Sequence, residues 1–216
     1  MPNYIGTSSM LCGLLNYDCA PPRNINDTEL YPTLGELPQD RSITTYTDTS
    51  YLCLAMQTLE LRIEICSKVN NFKESPDRYD ALEYEETIRQ QISKFPRWTD
   101  ARSLQARTLL ELQLRQFLTI LHAPRVLQVE SRRKLNCRYS MVTALEAAAR
   151  MIDLHSSLAA SGNYALVLTR NDYFRATLLI CHIAYYSRRT NGEFIWMVRF
   201  IDCLLTCHRH GHDAAR

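Results

Sequence analysis

The sequence predicts an all-α protein, and three observations support this class. Glycine is scarce, at six of 216 residues, while leucine, alanine, arginine and glutamate are abundant. Apolar residues recur at three- and four-residue spacing through most of the chain, which is the period of an amphipathic helix. No stretch shows the two-residue alternation of a half-buried strand. We therefore expect about six helices, preceded by a long proline-rich extended segment.

The first predicted element is this extended segment, which begins near Leu14 after a poorly determined N-terminus at residues 1–13. Prolines at positions 21, 22, 32 and 38 fix the backbone φ angle and remove hydrogen-bond donors. Irregular segments of this length are rare in compact domains unless they are packed down or functional. Aliphatic residues recur through it, namely Ile25, Leu30, Leu34 and Leu37. We therefore expect the segment to be pinned across a helical surface.

One long amphipathic helix is predicted next, from Tyr46 to about Asn70. Thr47 and Asp48 are both suitable N-cap residues, because their short side chains can accept hydrogen bonds from the first turn. Apolar residues follow at helical spacing, namely Leu52, Ala55, Met56, Leu59, Ile63 and Cys66. One face of this helix is expected to be buried.

A charged helix is predicted from Arg78 to about Lys94. It carries three closely spaced carboxylates, Glu83, Glu85 and Glu86. Paired carboxylates can serve as a general acid and base, but charged residues on such a helix are usually solvated. We therefore expect these glutamates on an outer face exposed to water.

The following helix, at residues 101–122, is apolar on nearly all sides. This distribution is typical of a central helix. Pro124 is expected to end it, because proline cannot donate the backbone hydrogen bond that continues a helix.

Three more helices complete the prediction. An alanine-rich helix is expected from Ser131 or Asn136 to Ala160, with Gly162 as its stop signal. The next helix is expected to begin at Asn171 or Asp172. The last one is expected at residues 193–210.

The charge balance argues against a nucleic-acid surface. Twenty-five basic and 23 acidic residues leave a net charge of +2, whereas phosphate binding needs clustered cations. The basic run from Arg125 to Arg138 lacks interleaved aromatic residues, so a solvated helix entry is favoured over a nucleic-acid patch. Because no signal peptide or membrane-spanning run is visible, we expect a soluble intracellular protein with its eight cysteines reduced.

The C-terminal tail contains the candidate metal ligands. Cys203, Cys207, His208 and His210 are residue types that bind zinc, and the two cysteines lie four residues apart on the predicted last helix. The same cysteines continue the apolar stripe of that helix, so packing is the favoured interpretation. We assign no metal and no cofactor.

No catalytic residue is assigned. Cys181 and His182 are adjacent on a predicted helix and face different directions, so they do not form a nucleophile–base pair. Phosphate-binding glycine loops, nucleophile elbows and paired-histidine zinc motifs are absent from the sequence. Tyr185, Tyr186 and Trp196 either line a cavity or, as we favour, contribute to core packing or a partner surface.

Several phrases of the sequence resemble the regulatory middle region of fungal zinc-cluster transcription factors. They are PPRNINDTEL at residues 21–30, ELP at 36–38, TDTSYLCL at 47–54 and LRIEICSKVN at 61–70. Later segments, LRQFLTILHAPR at 114–125 and RYSMVTALEAAARMIDLH at 138–155, match the same family. The resemblance covers residues 14 to about 190. It departs after His122, where Ala123, Pro124 and Arg125 stand in place of arginine, proline and an aromatic residue.

The resemblance implies a transcription-regulator fragment that acts in the nucleus and performs no reaction. The six-cysteine zinc cluster that reads DNA in this family is absent, so we expect no direct DNA contact and no membrane association. Residues 14–209 are expected to be a partial regulatory domain, followed by a tail at residues 210–216. Family behaviour further implies a homo- or heterodimer with related factors and a small-molecule effector. The alternative is a small helical metal-dependent protein or enzyme that uses the Cys/His-rich tail.

Overall fold

The computed structural model describes residues 20–31, 35, 38–70, 81–100, 102–127 and 135–189. Within these ranges the chain forms α-helices, one 3₁₀ turn at Asp27–Glu29 and no strand, so the all-α prediction is confirmed. The α-helices are α1 (Ser50–Gln57), α2 (Leu59–Val69), α3 (Ala81–Ser93), α4 (Ser103–Leu127), α5 (Leu135–Ala160), α6 (Ala165–Thr169) and α7 (Asp172–Arg189). The N-terminus at residues 1–13 and the predicted helix at residues 193–210 lie outside the described ranges.

The chain divides into two compact units, Met1–Phe117 and Leu118–Arg216. The first unit contains α1, α2, α3 and the beginning of α4, and the second contains the end of α4 with α5, α6 and α7. None of the helices in the described ranges has the length and apolar character that crossing a membrane requires. The single regulatory domain predicted at residues 14–209 stays a prediction.

The first unit has a core around Trp98. Its buried residues are Leu54, Ala55, Trp98, Ala106 and Leu110. The indole Nε1 of Trp98 donates a hydrogen bond to the carbonyl oxygen of Ile43 at 2.9 Å, and its ring meets Tyr46 edge to face with 5.2 Å between centroids. The residues that precede α1 are therefore attached to the core of this unit.

The predicted single helix from Tyr46 to Asn70 is wrong in two respects, because it begins only at Ser50 and because Thr58 separates it into α1 and α2. The carbonyl oxygen of Ala55 accepts hydrogen bonds from the Thr58 hydroxyl at 3.2 Å and from Nη2 of Arg62 at 2.8 Å. Side chains that bond to the backbone in this way satisfy carbonyl groups at a helix end. Apolar periodicity continues across the break and therefore gave no sign of it.

The expected solvent-exposed face of α3 is only partly observed. Glu83 and Glu86 are exposed, but Glu85 is 4% exposed. Nε of Arg89, one helical turn later, donates to Glu85 Oε1 at 2.9 Å. The prediction for Glu85 is therefore wrong, because an ion pair along the helix allows this carboxylate to be buried.

Pro124 does not end α4, which continues to Leu127. Proline inside a helix removes one backbone donor, but only three residues follow it. Val126 lies in this last stretch and is buried in the core of the second unit. Burial of its side chain opposes the cost of the missing hydrogen bond.

The second unit is built on the packing of α5 against α7. Its buried cluster consists of Val126, Cys137, Met141, Ala144, Leu145 and Ile183. Ala144, from the alanine-rich part of α5, is completely buried in this cluster. The predicted end at Ala160 and the predicted start at Asp172 are both confirmed, while the five-residue helix α6 was not predicted.

Gly162 ends α5 as predicted. Its φ is +82°, a left-handed conformation that favours glycine. The Gly162 N–H donates to the Ala159 carbonyl oxygen at 2.9 Å, and the Asn163 N–H donates to that of Leu158 at 3.0 Å. These bonds satisfy carbonyl groups that the end of the helix leaves without intrahelical donors.

Candidate functional site

A cluster of polar groups surrounds the buried side chain of Asn24, which is 3% exposed. Its Nδ2 donates to the carbonyl oxygens of Arg41, Ser42 and Thr45 at 3.3, 3.0 and 3.1 Å. Its Oδ1 accepts from the hydroxyls of Thr47 and Ser50 at 2.6 and 2.7 Å. A side-chain amide offers two donor hydrogens and two acceptor lone pairs, so these contacts use all of its capacity. We call these six residues the Asn24 cluster.

Residues next to Asn24 make further hydrogen bonds to the residues that precede α1. The Ile25 N–H donates to Oγ1 of Thr49 at 2.9 Å, and the Thr49 hydroxyl donates to the Arg23 carbonyl oxygen at 2.7 Å. The Asp27 N–H donates to the Asp48 carboxylate at 3.0 Å. Residues 23–27 are therefore attached to residues 47–50 by a continuous set of hydrogen bonds. These are the two segments on which the family resemblance rests most strongly.

The predicted capping roles of Thr47 and Asp48 are wrong. The residue at the N-cap position of α1 is Thr49, and no side-chain hydrogen bond caps the helix there. Thr47 and Asp48 instead direct their side chains to Asn24 and to the Asp27 N–H. Polar groups of the N-terminal segment compete with the start of α1 for these two side chains. The same short side chains can bond either to a helix end or to another part of the backbone.

The expected pinning of the N-terminal segment by aliphatic residues is only partly observed. Ile25 is 7% exposed and belongs to the buried residues, whereas Leu30 is 48% exposed. Leu34 and Leu37 lie outside the described residues. Polar groups, and not a row of aliphatic side chains, therefore provide most of the described attachment.

A groove of about 470 Å³ opens beside the Asn24 cluster. It is lined by Pro21, Pro22, Asn24, Asp40, Arg41, Ile43, Cys53, Met56 and Gln57. The Cys53 thiol donates to the Pro22 carbonyl oxygen at 3.2 Å, and burial raises the pKa of this thiol above its ordinary value. A groove of this size can hold a small ligand, and its thiol is suited to packing more than to nucleophilic attack.

The second unit contains a buried polar group formed by His155, Asp172 and the partly exposed Arg170. His155 Nε2 lies 3.1 Å from Asp172 Oδ1, and Arg170 Nε donates to Asp172 Oδ2 at 2.8 Å. Burial disfavours the charged carboxylate, but the hydrogen bonds from His155 and Arg170 outweigh this effect and hold the pKa of Asp172 below its ordinary value. Among the described residues no group bonds to Nδ1 of His155. The group fixes the start of α7 against α5.

Those residues singled out from sequence that the structure describes are not brought together into a catalytic site. Cys181 is exposed and His182 is half-buried on α7, and Tyr185 is 58% exposed. The described residues contain no group of three or more His, Cys, Asp and Glu side chains with a metal-binding arrangement. The metal candidates Cys203, Cys207, His208 and His210, together with Trp196 and the side chain of Tyr186, lie outside what the structure describes.

The sequence analysis singled out the segments that contain Asn24, Thr47 and Ser50 but predicted no contact between them. The long-range role of Asn24 was missed because its partners lie 17 to 26 residues away, beyond the range of turn patterns. The pairing of His155 with Asp172 was also missed. For both groups the only sequence signal was the family resemblance, which included these positions without assigning their contacts.

Comparison with known proteins gives one informative similarity. Transcription factor lepE from Aspergillus flavus is 26% identical over 182 residues, which cover 77% of this chain and 21% of the relative. The chain therefore spans about a fifth of the length of that protein. No family model and no solved structure matches. The chain is thus similar to one region of a fungal transcription factor.

Proposed function

We propose that the chain is a regulatory module resembling the middle region of fungal zinc-cluster transcription factors, which relays or restrains activation without contacting DNA itself. The Asn24 cluster is the observation that carries this proposal. It joins residues 21–30 to residues 47–54, two of the phrases that resemble the family, through the bonds that Asn24 Oδ1 accepts from the Thr47 and Ser50 hydroxyls. The three bonds from Asn24 Nδ2 attach the intervening residues 41–45. The similarity to a fungal transcription factor supports the same class.

The arrangement of the N-terminal segment supports a regulatory role more than a purely structural one. A regulatory element needs two states of similar free energy that a signal can shift. Each neutral hydrogen bond contributes only about 0.5–1.5 kcal/mol net, and Leu30 adds little burial because it is half exposed. Residues 21–30, which are held mainly by such bonds and by the buried Ile25, can open while Ile43 and Tyr46 stay attached to the core around Trp98.

The groove beside the cluster is the proposed effector site. It shares Asn24 with the cluster and Pro22 with the N-terminal segment, so an occupant contacts the element that we propose to move. An effector that binds only the closed form stabilises that form by mass action. The module is proposed to act in the nucleus, to carry out no reaction and to associate with related factors as a homo- or heterodimer.

A reporter assay tests the proposal. The chain is placed between a heterologous DNA-binding domain and an activation domain, and reporter output is compared with a fusion that lacks the chain. We expect the chain to change output at least threefold at equal protein level, and Asn24→Ala to abolish most of this difference. Asn26→Ala is the matched control, because Asn26 makes only two long side-chain bonds of 3.4 and 3.3 Å. Equal output with and without the chain would contradict the proposal.

A further inference from the structure

The groove beside the Asn24 cluster has apolar walls. Cys53 is buried, and Pro22, Ile43 and Met56, which also line the groove, are half-buried. None of these four side chains carries a charge at neutral pH. Removal of apolar surface from water is favourable, so walls of this kind favour an occupant that has an apolar body.

Asp40 supplies an exposed negative charge to the lining of this groove. Its Oδ1 accepts a hydrogen bond from the Asn24 N–H at 2.7 Å, which holds the carboxylate beside the apolar walls. Among the residues that the structure describes, no Lys, Arg or His side chain forms an ion pair with Asp40, and none bonds to its Oδ2. The negative charge of Asp40 is therefore available to an occupant of the groove.

Arg41 is the one cation among the described residues that line the groove, and its charge is already paired. Its Nη2 donates to Glu29 Oε1 in an ion pair, and Glu29 does not line this groove. The two side chains together carry no net charge, so Asp40 determines the sign of the charge at the groove. Burial raises the pKa of the Cys53 thiol, and the nearby negative charge of Asp40 raises this pKa further.

We propose that the effector of this groove is a small apolar molecule that carries a positive charge, as a protonated amine on an apolar body does. The ammonium group pairs with the Asp40 carboxylate, and the apolar body lies against the walls that include Ile43 and Met56. An ammonium group has donors only, which matches a carboxylate oxygen that accepts no hydrogen bond from the described residues. This inference rests on the proposed role of the groove as the effector site.

The same groups disfavour an anionic occupant of similar shape. Its negative charge would lie beside the unpaired Asp40 carboxylate, and it would have to displace Glu29 to reach the Arg41 guanidinium. Like charges repel each other, and this repulsion adds to the cost of breaking an ion pair that already exists. A neutral occupant gains the apolar burial but no charge pairing. We therefore expect the affinity to fall from the cation to the neutral molecule and from there to the anion.

Titration of the full chain with three matched probes, followed by ligand-observed NMR, tests this order. Phenethylammonium, phenethyl alcohol and phenylacetate share a phenyl ring on a short chain and differ in charge. We expect the cation to bind about threefold more tightly than the alcohol, as for an exposed ion pair, and phenylacetate to bind most weakly. Asp40→Asn should lower the affinity for the cation to that for the alcohol, since the amide keeps an oxygen for the Asn24 N–H but carries no charge.

Two further variants locate the bound probe, provided that their helical circular dichroism is unchanged. Met56→Ala shortens an apolar wall and should weaken all three probes by a similar factor, roughly fivefold, without changing their order. Asp27→Asn removes an exposed carboxylate that does not line the groove, so all three affinities should stay unchanged.

Three results overturn the proposal. They are phenylacetate binding as tightly as phenethylammonium, a preference for the cation that survives Asp40→Asn, and the absence of binding for every probe. The reporter assay distinguishes these failures from failure of the proposed function. A chain that changes reporter output but prefers no cation keeps its regulatory role and takes another class of effector. A chain that binds the cation but leaves reporter output unchanged loses that role, and the cation is then no effector.

Discussion

The Ser50 hydroxyl donates a 2.7 Å hydrogen bond to Oδ1 of Asn24, across 26 positions of sequence. Both residues are almost completely buried, at 0% and 3% exposure. The first residue of α1 is thereby attached to the N-terminal segment, and the same Asn24 oxygen also holds Thr47. A single amide thus holds the hydroxyls of two residues at the start of the first unit's helix α1 against the N-terminal segment.

Replacing Asn24 by alanine should lower the free energy of unfolding by about 2–4 kcal/mol. The change leaves two buried hydroxyls and three carbonyl groups without their partner, and unsatisfied buried groups cost about 1–3 kcal/mol each when water cannot replace the bond. Chemical denaturation followed by circular dichroism measures the difference. Asn26→Ala should cost less than about 1 kcal/mol, because its bonds are long. Equal losses in the two variants would contradict the central role of Asn24.

Cys53 reports whether the N-terminal segment is closed. Its thiol is 8% exposed and bonded to the Pro22 carbonyl oxygen, and burial raises its pKa, so alkylation at neutral pH should be slow. Asn24→Ala should increase the rate about tenfold by releasing the segment. Mass spectrometry with site-resolved labelling measures this rate. Cys66, buried in α2 away from the groove lining, should keep its slow rate, and a parallel rise there would indicate global unfolding instead.

Sequence reasoning predicted the helices best where the signal was local. Gly162 and Asp172 mark helix ends, and both were placed correctly because a left-handed turn or a helix start depends on a few neighbouring residues. The break at Thr58 was missed, because it depends on Arg62 bonding to Ala55. The burial of Glu85 was missed because it depends on the side chain of Arg89 bonding to this carboxylate. These features depend on which of several available partners a polar side chain selects.

The candidate site depended still more on distant contacts. Threonine is a common N-cap residue, so the sequence around Thr47 predicts a helix cap. Nothing in that local sequence indicates that the Thr47 hydroxyl donates to Asn24 instead. Family resemblance located both segments, but resemblance alone does not state which residues touch. Only the three-dimensional structure shows that the side-chain amide of Asn24 bonds to five groups at once.

Replacing Gly162 by alanine should destabilise the chain by about 1–2 kcal/mol. The φ of +82° is strained for any residue with a Cβ atom, although no neighbouring atom lies within 4 Å of the added methyl group. The cost is therefore conformational and not steric, and thermal unfolding should show a lower midpoint. Gly35→Ala is the control, since Gly35 also has open space around it and no positive φ. A loss below about 0.5 kcal/mol at position 162 would contradict this account.

The His155–Asp172 group should make stability depend on pH in the acid range. The pKa of Asp172 is lower in the folded chain than its ordinary value of 3.8. Its contribution to the free energy of unfolding is therefore fully present above pH 3.8 and is lost as the pH falls through the depressed folded value, because protonation removes the charged partner of His155 and Arg170.

Asp172→Asn should flatten this acid dependence and also lower stability at pH 7, since a neutral amide replaces a buried charged acceptor. Asp27→Asn, which removes an exposed carboxylate of the first unit, serves as the matched control. Denaturation midpoints measured between pH 2.5 and pH 7 (a range set by the ordinary Asp value) distinguish the variants, and an unchanged acid slope in Asp172→Asn would reject the assignment.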